Sequence, residues 1–216
     1  MKKLIITLSI YVLASPLLLA EEDWIIQKRE EADFFITENQ IKSNDPLMMQ
    51  NAIDNLEKEI ENKESSMSTR EISYFVSSLA KHSLEVGDIR LLERTINIIK
   101  KMGGLQAHDT AITILAQYGE ESEVVIYFLP LIGEYISATD VDTIAKITRY
   151  YGIIKPSLSV FSFIQNNIET LCKAHPDYFK NRFFIESLTI SLDSGFPETI
   201  NKKTYYLLEG ILYDNW

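Results

Sequence analysis

LAKHSLEVG (Leu79–Gly87), AITILAQYG (Ala111–Gly119) and IAKITRYYG (Ile144–Gly152) close on glycines spaced 32 and 33 residues apart. Each stretch ends a helical apolar pattern, and another helical pattern follows it. Seven residues before the glycines stand Ala80, Ile112 and Ala145, and eight before stand Leu79, Ala111 and Ile144. Every pair holds a small side chain, which lets two helices approach closely. Nine residues after the glycines come Ile96, Phe128 and Phe161, and twelve after come Ile99, Leu131 and Ile164. Those two columns lie one turn apart and form one apolar stripe on a second helix. The pattern predicts helical hairpins between Glu71 and Ile168, with each glycine as a left-handed helix end. Asp88 and Glu120 are expected to open the following helices, where a carboxylate meets the positive end of the dipole. Pro156 is expected in the first turn of the helix after Gly152.

A two-helix unit of this length resembles the tetratricopeptide (TPR) repeat. The resemblance rests on Ala80 and Ala145 in the first helices, on the three glycines, and on Ile96, Phe128 and Phe161 in the second helices. It covers about residues 68–170. The chain differs from that pattern at Leu92, Val124 and Ser157, and at Ile99, Leu131 and Ile164, where the family favours alanine. Pro130 falls inside a second-helix pattern and is expected to kink it. The resemblance implies an all-α, α-solenoid-like right-handed array of antiparallel hairpins, about ten helices in all. It also implies that the first helices line a surface that holds peptides.

The chain has 216 residues, of which 46% are apolar and only 8 are Gly and 6 Pro. Long amphipathic runs with so few turn residues speak against an all-β fold. Lys2 and Lys3, the apolar run Leu4–Ala14 and acidic Glu21-Glu22 read as a secretory signal peptide, cut after Ala20. An uncleaved anchor is the rival reading of the same 17 apolar-rich residues, Leu4–Ala20. Loss of Lys2 and Lys3 takes the net charge from −10 to −12. Such a chain is repelled by phosphate backbones, so nucleic acid is not an expected partner. Membrane contact is expected only through an uncleaved signal. Cys172 is the single cysteine, so no internal disulfide forms. These features suit a bacterial periplasmic or secreted protein stabilised by packing.

The chain is read as a signal (1–20), an N-terminal helical pair acting as a cap (21–67), three hairpins (68–174) and a C-terminal pair (175–216). Residues 21–216 are expected to form one continuous domain. Trp24 to Ile41 and Met48 to Ile60 carry the stripes of the first two helices, separated at Asp45-Pro46. Asn62–Ser68 is the clearest linker. Ser68 and Glu71 form a capping-box pattern. Gly103-Gly104 ends the first hairpin, and His108 to Tyr118 and Glu121 to Ile136 form the second. Thr139 or Asp140 caps the third, which runs to Ala174. A single aromatic-rich helix is expected from Tyr178 to Leu192, and Pro197 opens the last.

No catalytic, cofactor-binding or metal site is expected. The sequence lacks a phosphate-cradling glycine loop, a zinc signature and a serine-nucleophile elbow. His82 falls in a column with Ile114 and Ile147 and reads as packed. His108 beside Asp109 forms a conceivable base and orienter with no nucleophile placed near them. Cys172 and His175 form half a metal site with no second half. The candidate partner-binding face repeats at nine, six and two residues before each glycine: Ser78, Lys81 and Glu85; Thr110, Thr113 and Gln117; Thr143, Lys146 and Tyr150. Helical geometry puts each trio on one side. Lys81 and Lys146 stand out in an acidic chain as holders of a carboxylate, with Arg149 beside them. Tyr205, Tyr206, Tyr213 and Trp216 are expected to be buried at the end of the array. Three functions stay open: a non-enzymatic scaffold for a protein or peptide, a helical hydrolase or lyase with an unmarked site, and a structural subunit of an envelope assembly.

Overall fold

The structure is a computed structural model that describes residue 28 and residues 31–43, 45–61 and 67–216. The expected signal peptide, Trp24 and most of the Asn62–Ser68 linker lie outside the described residues. The fold is all-α, and no strand occurs among the described residues. No described helix is long and apolar enough to cross a membrane. The chain divides into two compact units, Met1–Phe75 and Val76–Trp216.

In the first unit, α1 (31–42) and α2 (Pro46–Glu61) precede the start of α3 (Thr69–Val86). Asp45 caps α2 by accepting from the Leu47 amide at 2.8 Å. Met49, Ala52, Ile53 and Leu56 bury one stripe of α2, as the spacing predicts. Phe34 of α1 packs 4.9 Å from Phe75 and stacks on Tyr74, whose hydroxyl donates to Glu38. The capping box forms: the Glu71 carboxylate accepts from the Ser68 amide, and Ser68 Oγ accepts from the Glu71 amide.

In the second unit α3 ends at Gly87, whose φ of +68° is the left-handed terminus the sequence predicts. Then come α4 (Ile89–Met102), α5 (Gly104–Tyr118), α6 (Ser122–Phe128), two single 3₁₀ turns (Leu129–Leu131 and Gly133–Tyr135), α7 (Ala138–Arg149), a π turn (Tyr150–Ile154) and α8 (Leu158–Ala174). The short α9 (Pro176–Phe179), α10 (Arg182–Ser191) and α11 (Glu198–Tyr213) complete it. Sequence neighbours α4 and α5, α5 and α6, and α10 and α11 pack together. Helices two hairpin positions apart also pack: α5 on α7, α7 on α10, α6 on α8, and α8 on α11. The apolar columns meet inside. Phe128 and Phe161 are fully buried, as are Ile99, Ile164, Ala80, Ala111 and Ala145. Burial of each such phenylalanine contributes about 2–3 kcal/mol.

Several boundaries differ from expectation. Asp88 caps α4 as predicted, accepting from the Leu91 amide, but α6 starts behind Glu121 rather than Glu120. Pro130 stops the helix instead of bending it, because its ring cannot continue the ladder. Leu131 is therefore only half-buried. Ser137, not Thr139 or Asp140, is the N-cap of α7, and Asp140 is the reciprocal N3 acceptor. Pro156 stands before the Ser157 N-cap rather than inside α8. The expected helix from Tyr178 to Leu192 is two, because Asn181 turns its side chain to the Phe184 amide and starts α10 afresh. Tyr205 and Tyr213 are exposed, at 57% and 77%, while Tyr206 and Trp216 are half-buried.

Cys172 is fully buried in α8, and burial pushes its thiol well above the usual range. The folded protein is expected to resist a thiol-specific reagent at pH 8 and to label one equivalent only in denaturant. Rapid labelling of the native protein would contradict this packing.

Candidate functional site

Gly119 and Gly152 do a different job from Gly87. Gly119 has a right-handed φ of −67°. A Cβ there would lie 2.8 Å from Ile147 Cγ1, so the missing side chain lets α5 come close to α7. Gly152 sits buried in the π turn, where a Cβ would meet Phe161 of α8 at 2.8 Å and Ser191 of α10 at 3.1 Å. The Lys155 amide donates to the Tyr150 carbonyl at 2.7 Å and closes that wider turn. The Tyr151 hydroxyl donates to the Glu120 carbonyl at 2.7 Å, and burial pushes its phenol up. The turn after α5 and the turn after α7 are thus tied together.

Above these contacts lies a pocket of about 290 Å³. Leu115, Ala116 and Gly119 of the α5 end form one wall, Ile147 and Ile154 form another, and Phe183 of α10 forms a third. The polar lining comes from Gln117, Glu120, Thr143, Lys146, Arg149 and Tyr150. The Arg149 guanidinium stands 5.8 Å over the Phe183 ring. That distance is within the range of cation–π attraction.

The predicted face is therefore divided. Gln117, Thr143, Lys146, Arg149 and Tyr150 meet around one pocket. Thr113 is exposed one turn before Gln117 on α5 and gives its hydroxyl to the Asp109 carbonyl. Thr110 is a correction: it is only 2% exposed, and its hydroxyl satisfies itself on the Gln106 carbonyl. Ser78, Lys81 and Glu85 of α3 do not line the pocket. Lys81 pairs with Glu85 at 3.6 Å, with both side chains more than half exposed, a pair worth little in water. Sequence reasoning missed Leu115, Gly119 as a contact and Phe183. Phe183 has no sequence signal, because its helix joins the site only through the packing of α10 on α7.

Two of the histidines pack against other elements or rings. His108 is buried at 2% and bridges two elements. Its Nδ1 lies 2.6 Å from the Ile132 carbonyl and its Nε2 3.2 Å from Asp140 Oδ2. Asp140, not Asp109, is its orienter. His175 stacks on Tyr178. No cluster of three His, Cys, Asp or Glu that suits a metal occurs among the described residues.

No protein-family model matches the chain, and no curated protein matches it.

Proposed function

We propose that the chain is an exported, TPR-like interaction module that binds a protein or peptide through the α5–α7 face. The observation that carries this reading is the convergence of five sequence-predicted residues on one pocket. They arrive from two helices and a π turn. Rows in which α5 packs on α7 and α7 on α10 support the repeat resemblance. Repeat arrays bind partners through such extended faces.

The test is capture from an envelope extract of the source cell, with the wild type beside a Gln117→Trp, Thr143→Trp variant. Gln117 is exposed and Thr143 half-buried, both line the pocket, and circular dichroism checks the fold. A partner captured by the wild type and lost from the variant is the expected result. Equal capture by both proteins would remove the face from the function. Hydrolytic activity that follows this same pocket would instead favour an enzyme.

A further inference from the structure

The pocket carries two cationic side chains in a chain of net negative charge. The sequence carries a net charge of −10. Lys81, Lys173, Lys180, Arg182 and Lys202 each hold a carboxylate within 4.0 Å. Lys146 and Arg149 hold none among the described residues, though they lie three apart on one helix, where like charges repel. Other cations such as Arg90 stand unpaired in open solvent; these two also share a pocket wall with apolar side chains. Arg149 is already set against Phe183, which reduces the side-chain freedom lost when its N–H fork takes an acceptor.

We propose that Lys146 and Arg149 hold the carboxylate of an aspartate or glutamate inside a partner's chain, and that an apolar residue beside it enters the pocket. This rests on the reading of the α5–α7 face as the partner-binding face. Charge complementarity selects the anion, and the Arg149 fork matches a carboxylate bidentately. The volume of about 290 Å³ suits one large apolar side chain against Leu115, Ile147 and Phe183. Glu120 on the rim adds a negative charge. With Lys146 and Arg149 it leaves one net positive charge at the pocket, which a single carboxylate neutralises and a phosphate dianion exceeds. Thr113 stands exposed one turn before Gln117 on α5, so the surface continues beyond the pocket along that helix.

The probe is a blocked peptide, Ac-Gly-Ser-Asp-Phe-Ser-Gly-NH2, titrated into isotope-labelled protein and followed by amide shifts. Shifts are expected at Gly119, Lys146, Arg149 and Phe183. Replacing the peptide's Asp by Asn, or its Phe by Ser, is expected to weaken binding about tenfold, a loss of about 1.4 kcal/mol. Phosphoserine in place of Asp is expected to bind more weakly than Asp. The Lys146→Gln, Arg149→Gln variant is expected to lose the preference for Asp over Asn. Equal shifts from the Asp and Asn peptides, stronger binding of phosphoserine, or tighter binding of the unblocked dipeptide Asp-Phe would overturn the inference. A captured partner that is lost from the Trp variant yet retained by Lys146→Gln, Arg149→Gln would leave the binding face standing and remove only the carboxylate.

Discussion

Gly152→Val is expected to lower the urea midpoint by the equivalent of about 3 kcal/mol, with the slope of the transition unchanged. The first carbon of any side chain at this position falls 2.8 Å from Phe161 Cε2 and 3.3 Å from Phe161 Cδ2. It also falls 3.1 Å from Ser191 Cβ. Phe161 is fully buried and cannot swing into solvent. Ser191 is held by its hydroxyl bond to the Leu188 carbonyl. The Gly152 carbonyl meanwhile accepts from Ser194 Oγ, so the turn itself is anchored. Overpacking of this kind costs about 1–3 kcal/mol for small insertions, and valine adds two further methyl groups. Phe161→Leu alone also destabilises, by removing packed volume. Combined with Gly152→Ala it is expected to cost less than the sum of the two single changes, because each relieves the other. A Gly152→Val midpoint equal to wild type would show that α8 and α10 do not close on the π turn.

Asp140→Ala is expected to cost about 3 kcal/mol, a fall in the melting temperature of roughly 6–12 °C for a chain of this size. The carboxylate does two jobs. It accepts from the Ser137 amide at 2.7 Å and the Ser137 hydroxyl at 2.6 Å, which completes the cap of α7. Loss of a cap costs about 1 kcal/mol. It also faces His108 Nε2 at 3.2 Å, with the imidazole buried. Removing that partner leaves a ring nitrogen unsatisfied, at about 1–3 kcal/mol. Asp140→Asn keeps acceptor and donor atoms at the site and is expected to cost less than Asp140→Ala. A double-mutant cycle with His108→Gln is expected to give a coupling of about 1 kcal/mol. Zero coupling would mean that the His108–Asp140 contact contributes nothing, and that the cap alone holds the start of α7.

These positions show which parts of the fold are local. Helix starts at Ser68, Asp88 and Asp45 follow from a side chain that reaches its own backbone, so the sequence suffices to place them. The start of α10 at Asn181 uses the same bond. It was hidden because the surrounding aromatic run, Tyr178 to Phe184, keeps an apolar pattern straight through the break. The polar columns show the opposite limit. Thr110 and Thr113 are chemically equal and lie on the same helix, and both satisfy their hydroxyls on a carbonyl four residues back. Residue type therefore does not reveal that Thr110 is interior and Thr113 exposed; neighbouring helices decide it. The same holds for Lys81 and Lys146, equivalent in the register. One is paired on its own helix and the other lines a pocket.

The sequence by itself determined the helical class, the helix starts at Asp45, Ser68 and Asp88, the apolar columns that became the core, and five residues, Gln117, Thr143, Lys146, Arg149 and Tyr150, that line one pocket. Each of these follows from interactions within about four residues, or from the period of an α-helix. Only the tertiary structure decided why the three glycines recur. Gly87 turns a helix end, whereas Gly119 and Gly152 make room for Ile147, Phe161 and Ser191 from other helices. It alone also decided that Phe183 would complete the pocket and that Asp140 would orient His108. Those contacts join different helices, and the spacing of side chains along one helix carries no record of which other helix will close over it.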